Sequence, residues 1–151
     1  MKIFPLNQSH IPQIWQIEAE AHLTPWSEQI ITSSFGPRSH NFGLFKPNRG
    51  LDELVGYYFA ESVAGEMTLE NMCVGVDHQG KGYARQLMAH LIEQGKALNN
   101  EELWLEVRAS NVPAIALYRS YGFESISVRK AYYKIPNSNQ REDAWLMKLS
   151  L

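Results

Sequence analysis

The chain carries a single cysteine, Cys73, in 151 residues. One thiol excludes a disulfide framework and a cysteine-built zinc site. Positive charge is not in surplus either: 14 Lys and Arg stand against 16 Asp and Glu, a net charge of −2. Nucleic-acid-binding surfaces carry a basic excess, so direct nucleic-acid binding is not expected, whereas a local acidic patch still suits a cationic peptide. Long apolar runs are missing. No stretch approaches membrane-spanning length, and the apolar run at the N-terminus is too short for a signal peptide. The expected setting is cytoplasmic, with no membrane contact. His10, His22, His40, His78 and His90 show no metal-ligand spacing, so no metal is expected and they read as structural or exposed.

What is present is an ordinary globular composition, 44% hydrophobic and 20% charged, at a length that fits one domain over residues 1–151. Residues 1–6 read as a strand. Ser9 is a candidate cap for a helix running to about His22, with Ile11, Ile14, Trp15 and Ile17 crowding one side. Ser27 is a candidate cap for a short second helix that Gly36-Pro37 stops. Residues 41–46 form an expected strand, residues 47–50 a turn-rich loop, and residues 54–63 and 67–76 a hairpin around Ala64-Gly65-Glu66. Ala84, Leu87, Met88, Leu91, Ile92 and Leu98 then follow helical spacing. Residues 103–107 form a strand. Ser110-Asn111-Val112-Pro113 opens another helix, closed by Tyr121-Gly122-Phe123, and residues 126–129 and 144–149 are the last strands. The pattern is a mixed α/β domain without repeats or linkers.

The most informative stretch is Gln79-Gly80-Lys81-Gly82-Tyr83-Ala84-Arg85, between a strand and an amphipathic helix. Bare backbone N–H groups at a helix start make a phosphate site. A dinucleotide fingerprint beginning at Gly80 fails because Arg85 stands where its last glycine belongs. A P-loop fits at Gly75, Gly80 and Lys81, but Gly82 stands where the Mg²⁺-binding hydroxyl belongs. A third pattern, Gln/Arg-x-x-Gly-x-Gly/Ala, is filled throughout from Gln79 to Ala84.

That pattern resembles the acetyl-CoA pyrophosphate loop of the GNAT family of N-acetyltransferases. The runs Leu103-Trp104-Leu105-Glu106-Val107-Arg108-Ala109-Ser110-Asn111, His22-Leu23-Thr24-Pro25-Trp26-Ser27-Glu28, Tyr132-Tyr133 and Arg141-Glu142-Asp143-Ala144 extend the resemblance over nearly the whole chain, toward its RimI-like subfamily. The resemblance implies a mostly antiparallel central sheet with helices on both faces and a splayed parallel strand pair holding acetyl-CoA. It implies acetylation of the N-terminal alanine of a small-subunit ribosomal protein, the eighteenth of its series, by direct transfer in a ternary complex. The implied partner is the N-terminal peptide of that protein, and the implied state is a monomer or weak dimer. Another protein N-terminus, a lysine, a small-molecule amine, and a non-catalytic nucleotide- or acyl-CoA-binding module stay open as alternatives.

By the same resemblance, Gly80, Gly82, Tyr83, Ala84 and Arg85 receive the pyrophosphate through backbone amides, with Gln79 and Lys81 in the same loop. Backbone groups of Met72, Cys73 and Val74 hold the pantetheine arm and polarise the thioester, and Asn111 contacts CoA. Cys73 has no evident activating partner and is not expected to be a nucleophile. An α-amino group of pKa about 7.7–8.0 is largely protonated near neutrality, so a base is needed. The resemblance implies that Glu106 is that base and Tyr118 the proton donor to the leaving thiolate. The competing readings are a surface glutamate paired with Arg108, a tyrosine packed in its helix, and an Asn111 that caps a helix. Trp26, Tyr132, Tyr133, Glu142 and Asp143 are candidates for a peptide groove.

Overall fold

Two tight turns set the first half of the sheet. The computed structural model describes residues 1–151, in which strands β1 (Lys2–Pro5), β2 (Phe42–Asn48), β3 (Leu51–Val63) and β4 (Glu66–Val74) pair antiparallel in sequence order. Arg49-Gly50 and Ala64-Gly65 join β2 to β3 and β3 to β4, all four with positive φ. That geometry matches the twist of the flanking strands in a two-residue hairpin. Half of the expected loop at residues 47–50 is therefore strand: Pro47 pairs with Asp52 and Asn48 with Leu51. The fourth strand ends at Val74, two residues earlier than expected, and Val76–His78 forms a 3-10 turn.

Helices α1 (Ile11–Ala21) and α2 (Glu28–Ser33) follow β1. Asn7 rather than Ser9 starts this region: its side chain accepts from the Ser9 N–H at 2.9 Å and caps a 3-10 turn that runs into α1. Ser27 caps α2 as expected, accepting from the Ile30 N–H at 3.2 Å. After the glycine loop come α3 (Tyr83–Ala97), β5 (Glu102–Arg108), α4 (Val112–Ser120), β6 (Glu124–Lys134) and β7 (Arg141–Ser150). The last two strands are longer than the sequence pattern suggests. β6 is exposed along nearly its whole length and β7 is mostly half-buried, so little apolar alternation marks where either begins or ends.

The sheet order is β1-β2-β3-β4-β5-β7-β6, antiparallel except for β4 and β5, which run parallel. Helices cover both faces. Leu87, Met88 and Leu91 of α3 and Ile115 of α4 pack on Met67, Leu69, Leu103 and Leu105. Ile11, Ile14 and Ile31 from α1 and α2 pack on Tyr57, Phe59 and Cys73 of the opposite face. Each such side chain contributes roughly 1.5–3 kcal/mol by leaving water.

A single bulge shapes the centre. Phe59 pairs with Asn71 and Ala60 with Leu69, so Glu70 has no partner on β3. One extra residue reverses which face every later side chain meets. Met67 and Leu69 face the α3 side before the bulge; Met72 and Val74 face it afterwards, and Cys73 turns to the α1 side. The β4–β5 pairing ends at the same place, on Leu69 and Leu105, although β4 runs on to Val74 and β5 to Arg108.

Candidate active site

Two cavities open where β4 and β5 part. The larger, about 360 Å³, lies toward the glycine loop and is bordered by Met72, Cys73, Val74, Gln79, Gly80, Gly82, Tyr83 and Ala84, with Pro113, Ala114, Leu117 and Tyr118 of α4 opposite. Gly80 and Gly82 have φ of +77° and +81°, the left-handed region that other residues enter only under strain. A Cβ at either would point into open space. Gly82 starts α3 without any side-chain cap, so the first-turn amides have no side-chain acceptor. Free amides, a positive helix end and glycine backbone fit a pyrophosphate.

Not every expected loop residue borders this cavity. Lys81 and Arg85 do not. The Arg85 guanidinium is 3.3 Å from Ser120 Oγ and lies over the Tyr121 ring at 5.2 Å, while Tyr121 Oη donates to the Arg85 carbonyl at 3.0 Å. Arg85 thus fastens α3 to α4. The Gln79 side chain donates to the Val74 carbonyl at 3.0 Å and closes the loop onto the end of β4. Cys73 is buried, and that burial pushes its thiol up to about 12, so it stays protonated near neutrality.

The second cavity, about 210 Å³, holds Glu106, Tyr118, Asn111, Trp26, Tyr133 and Arg108 on its walls, together with Glu18, His22, Thr24, Glu70 and Asn71. Met72 and Tyr118 border both cavities. Asn111 borders only the second, and it is also the α4 cap, accepting from the Ala114 N–H at 3.3 Å.

Glu106 is half-buried and pairs with Arg129 at 3.2 Å, not with Arg108. Arg108 has other work. It donates to the Lys134 carbonyl at 3.0 Å and to Thr24 Oγ1 at 2.6 Å, lies over the Tyr133 ring at 4.5 Å, and stands 3.7 Å from Glu142. Ser110 Oγ donates to Glu142 at 2.8 Å. One guanidinium therefore ties β5, β6, β7 and the loop before α2 into a single wall. Burial pushes Tyr118 up to about 12, with Tyr133 adding to the shift. Burial and then Glu106 raise Tyr133 to about 12 as well. Both phenols stay protonated near neutrality. Burial, with Glu61 second, also raises the Glu70 carboxyl.

Trp26 borders the cavity and packs edge-on against Phe59 at 5.4 Å. Tyr132, Glu142 and Asp143 do not line the cavity. Tyr132 packs edge-on against Tyr133 at 5.0 Å, and Asp143 accepts from the Ala131 N–H at 3.0 Å, which holds the β6 irregularity.

Glu18, His22, Asn71 and Glu70 were not singled out from sequence. Glu18 left a trace there: Ile11, Ile14 and Glu18 are the buried residues of α1, so a carboxylate continues an apolar stripe. His22 reads from sequence as structural or exposed and Asn71 left no trace, because their meeting depends on the register of a distant strand.

The sequence model of the Acetyltransferase (GNAT) family matches residues 5–123. The [ribosomal protein bS18]-alanine N-acetyltransferase of Escherichia coli is 39% identical over 149 residues, covering 99% of this chain and 97% of the relative. The crystal structure of the ribosomal-protein-S18-alanine N-acetyltransferase from Escherichia coli superposes with a TM-score of 0.89 at 40% identity, covering 99% of this chain and 92% of that one. An acetyltransferase of Bacillus subtilis in complex with CoA shares the fold, with a TM-score of 0.81 at 19% identity, covering 99% of this chain and 98% of that one. A parallel pair opened at a bulge, a glycine-started helix beside it and a match along the whole chain agree with one another: the chain belongs to the GNAT family of acetyltransferases.

Proposed function

We propose that residues 1–151 act as one acetyltransferase domain that transfers acetyl from acetyl-CoA to the α-amino group of an N-terminal alanine. The acceptor is the ribosomal protein for which the 39%-identical relative is named. The setting is the cytoplasm and the active form a monomer or weak dimer. The observation that carries the transfer reaction is that two cavities meet at Met72 and Tyr118. One suits a pyrophosphate and an apolar arm; the other is polar and contains the half-buried Glu106.

Backbone amides of Gly80, Gly82, Tyr83, Ala84 and Arg85 hold the pyrophosphate in this reading, and Gln79 and Lys81 complete the loop. The backbone of Met72, Cys73 and Val74 lines the arm. Asn111 both caps α4 and contacts CoA. Bound acetyl-CoA supplies the thioester carbonyl that the amine attacks. A backbone N–H of the β4 segment that β5 leaves unpaired polarises that carbonyl. Glu106 takes the proton from the arriving ammonium, directly or through water. Tyr118 remains protonated far above neutrality, and its phenol is less acidic than a thiol of pKa about 8.5. Its contribution is therefore a hydrogen bond lent to departing negative charge more than a proton handed over.

Mass spectrometry of ribosomal-protein N-termini, with and without the enzyme, tests the acceptor. A peptide series varying the first residue completes it. Preference for free lysine side chains over an N-terminal alanine would defeat the reading. The nucleotide-module alternative is not favoured, since the family match spans the glycine loop and β5 together.

A further inference from the structure

A buried carboxylate outside the acid–base pair organises the floor of the smaller cavity. Glu18 is fully buried in α1. It accepts from the Trp26 backbone N–H at 2.7 Å, from Tyr57 Oη at 2.6 Å and from Asn71 Nδ2 at 2.6 Å. Without such donors a buried carboxylate would be strongly destabilising. An apolar side chain of similar shape would fill the space without needing them, so packing alone does not account for the arrangement.

The donors have a directional consequence. A carboxylate only accepts, so Asn71 must turn its amide NH₂ toward Glu18. Its Oδ1 is thereby aimed at His22, 2.8 Å from Nε2. Glu18 Oε1 lies 3.4 Å from the same nitrogen. Two oxygen acceptors facing one ring nitrogen require a proton on it. Nδ1 is then the lone-pair side of the neutral imidazole, and it has no partner within the chain. The His22 side chain is 33% exposed and borders the cavity that also holds Glu106 and Tyr118.

We infer that His22 is an acceptor-binding residue, whose Nδ1 receives an N–H of the incoming primary amine, and that Glu18 and Asn71 are positioning residues that hold its ring as the Nε2–H tautomer. This rests on the reading that the smaller cavity admits the amine. Glu106 attracts the amine by charge; His22 orients one of its hydrogens.

Ring-nitrogen NMR of the intact chain, with an alanine-terminal peptide as probe, reads the tautomer directly. The expected result is a protonated Nε2 at His22 and an Nδ1 signal that moves with peptide but not with acetyl-CoA alone. His22→Ala is expected to lower kcat/KM by about tenfold or more, mostly through KM for the amine, with acetyl-CoA affinity unchanged and partial recovery on adding imidazole. Asn71→Leu keeps the ring but not its lock, so mixed tautomers and a smaller loss are expected. A protonated Nδ1 in the wild type, or a His22→Ala kcat/KM within about twofold of wild type, would overturn the inference; the wild-type spectrum decides even if a variant fails to fold. Wild-type preference for another amine would defeat the alanine reading alone, and the His22→Ala ratio on that preferred amine would still decide this one.

Discussion

Arg129 reaches across β7 to bring its Nη2 within 3.2 Å of Glu106 Oε1, from a strand that does not adjoin β5. The guanidinium is more than half exposed and also lies 5.4 Å from the Tyr132 ring. A cationic amine seeking Glu106 meets this cation there first. Exposed pairs of this kind are worth at most about 1 kcal/mol. Arg129→Gln is therefore expected to lower KM for the amine by about two- to fivefold. Steady-state kinetics at fixed ionic strength checks it; an increase in KM would show that Arg129 assists the amine instead.

Glu106→Gln keeps the shape of the side chain and removes its basicity. Turnover should fall by about 10²–10⁴, the usual range for a lost general base. Tyr118→Phe removes only a hydrogen bond to developing charge, so a loss on the order of tenfold to a hundredfold is expected. Calorimetric titration with acetyl-CoA should give unchanged affinity for both. Wild-type turnover in both variants under saturating substrates would refute the assignment.

Gly82→Ala puts a side chain on a residue with φ of +81° at the start of α3. The strain costs about 1–2 kcal/mol, and the new methyl group projects into the space that the pyrophosphate is expected to use. KM for acetyl-CoA should rise about tenfold or more while KM for the amine stays level. The melting temperature should drop by a few degrees, roughly 2–4 °C per kcal/mol at this chain length. Gly65→Ala, in a hairpin with similar φ and open space, should lower the melting temperature without touching KM.

Alkaline stability follows from five neutral groups that burial, full or partial, keeps protonated. Burial raises Cys73 from 9.0 to about 12, Tyr118 and Tyr133 from 10.0 to about 12, and the fully buried Tyr57 and Tyr58 higher still. The folded chain holds these protons where the unfolded chain releases them. Their stabilisation is full below the unfolded values and is lost as pH rises from about 9 toward 12. Thermal melts across that range should decline, and Cys73→Ala should remove the part of the decline that begins first. A flat profile through pH 11 would contradict the raised values.

The glycine loop, the α3 stripe and the order of elements could be read from local pattern, because each depends on neighbours a few residues apart. The β6–β7 pair was underestimated for the opposite reason: its outer ends face water and carry little periodicity. Pro47 looked like a turn residue but sits in a β2 ladder, where a two-residue turn at Arg49-Gly50 already reverses the chain. Glu106 and Tyr118 came from resemblance, and both border the same cavity. Glu18 and Asn71 meet across 53 positions, a distance that no local window reaches.

Glu70 carries a last consequence. It is a spacer whose presence desynchronises two ladders that would otherwise zip together. Were Glu70 paired in a regular ladder instead of left over, Asn71 would take the parity of the α3 side, away from Glu18, and β4 could continue its parallel match with β5 past Leu105. The seam that admits two substrates is thus set by chain length as much as by chemistry: one residue of slack keeps an otherwise continuous sheet from closing.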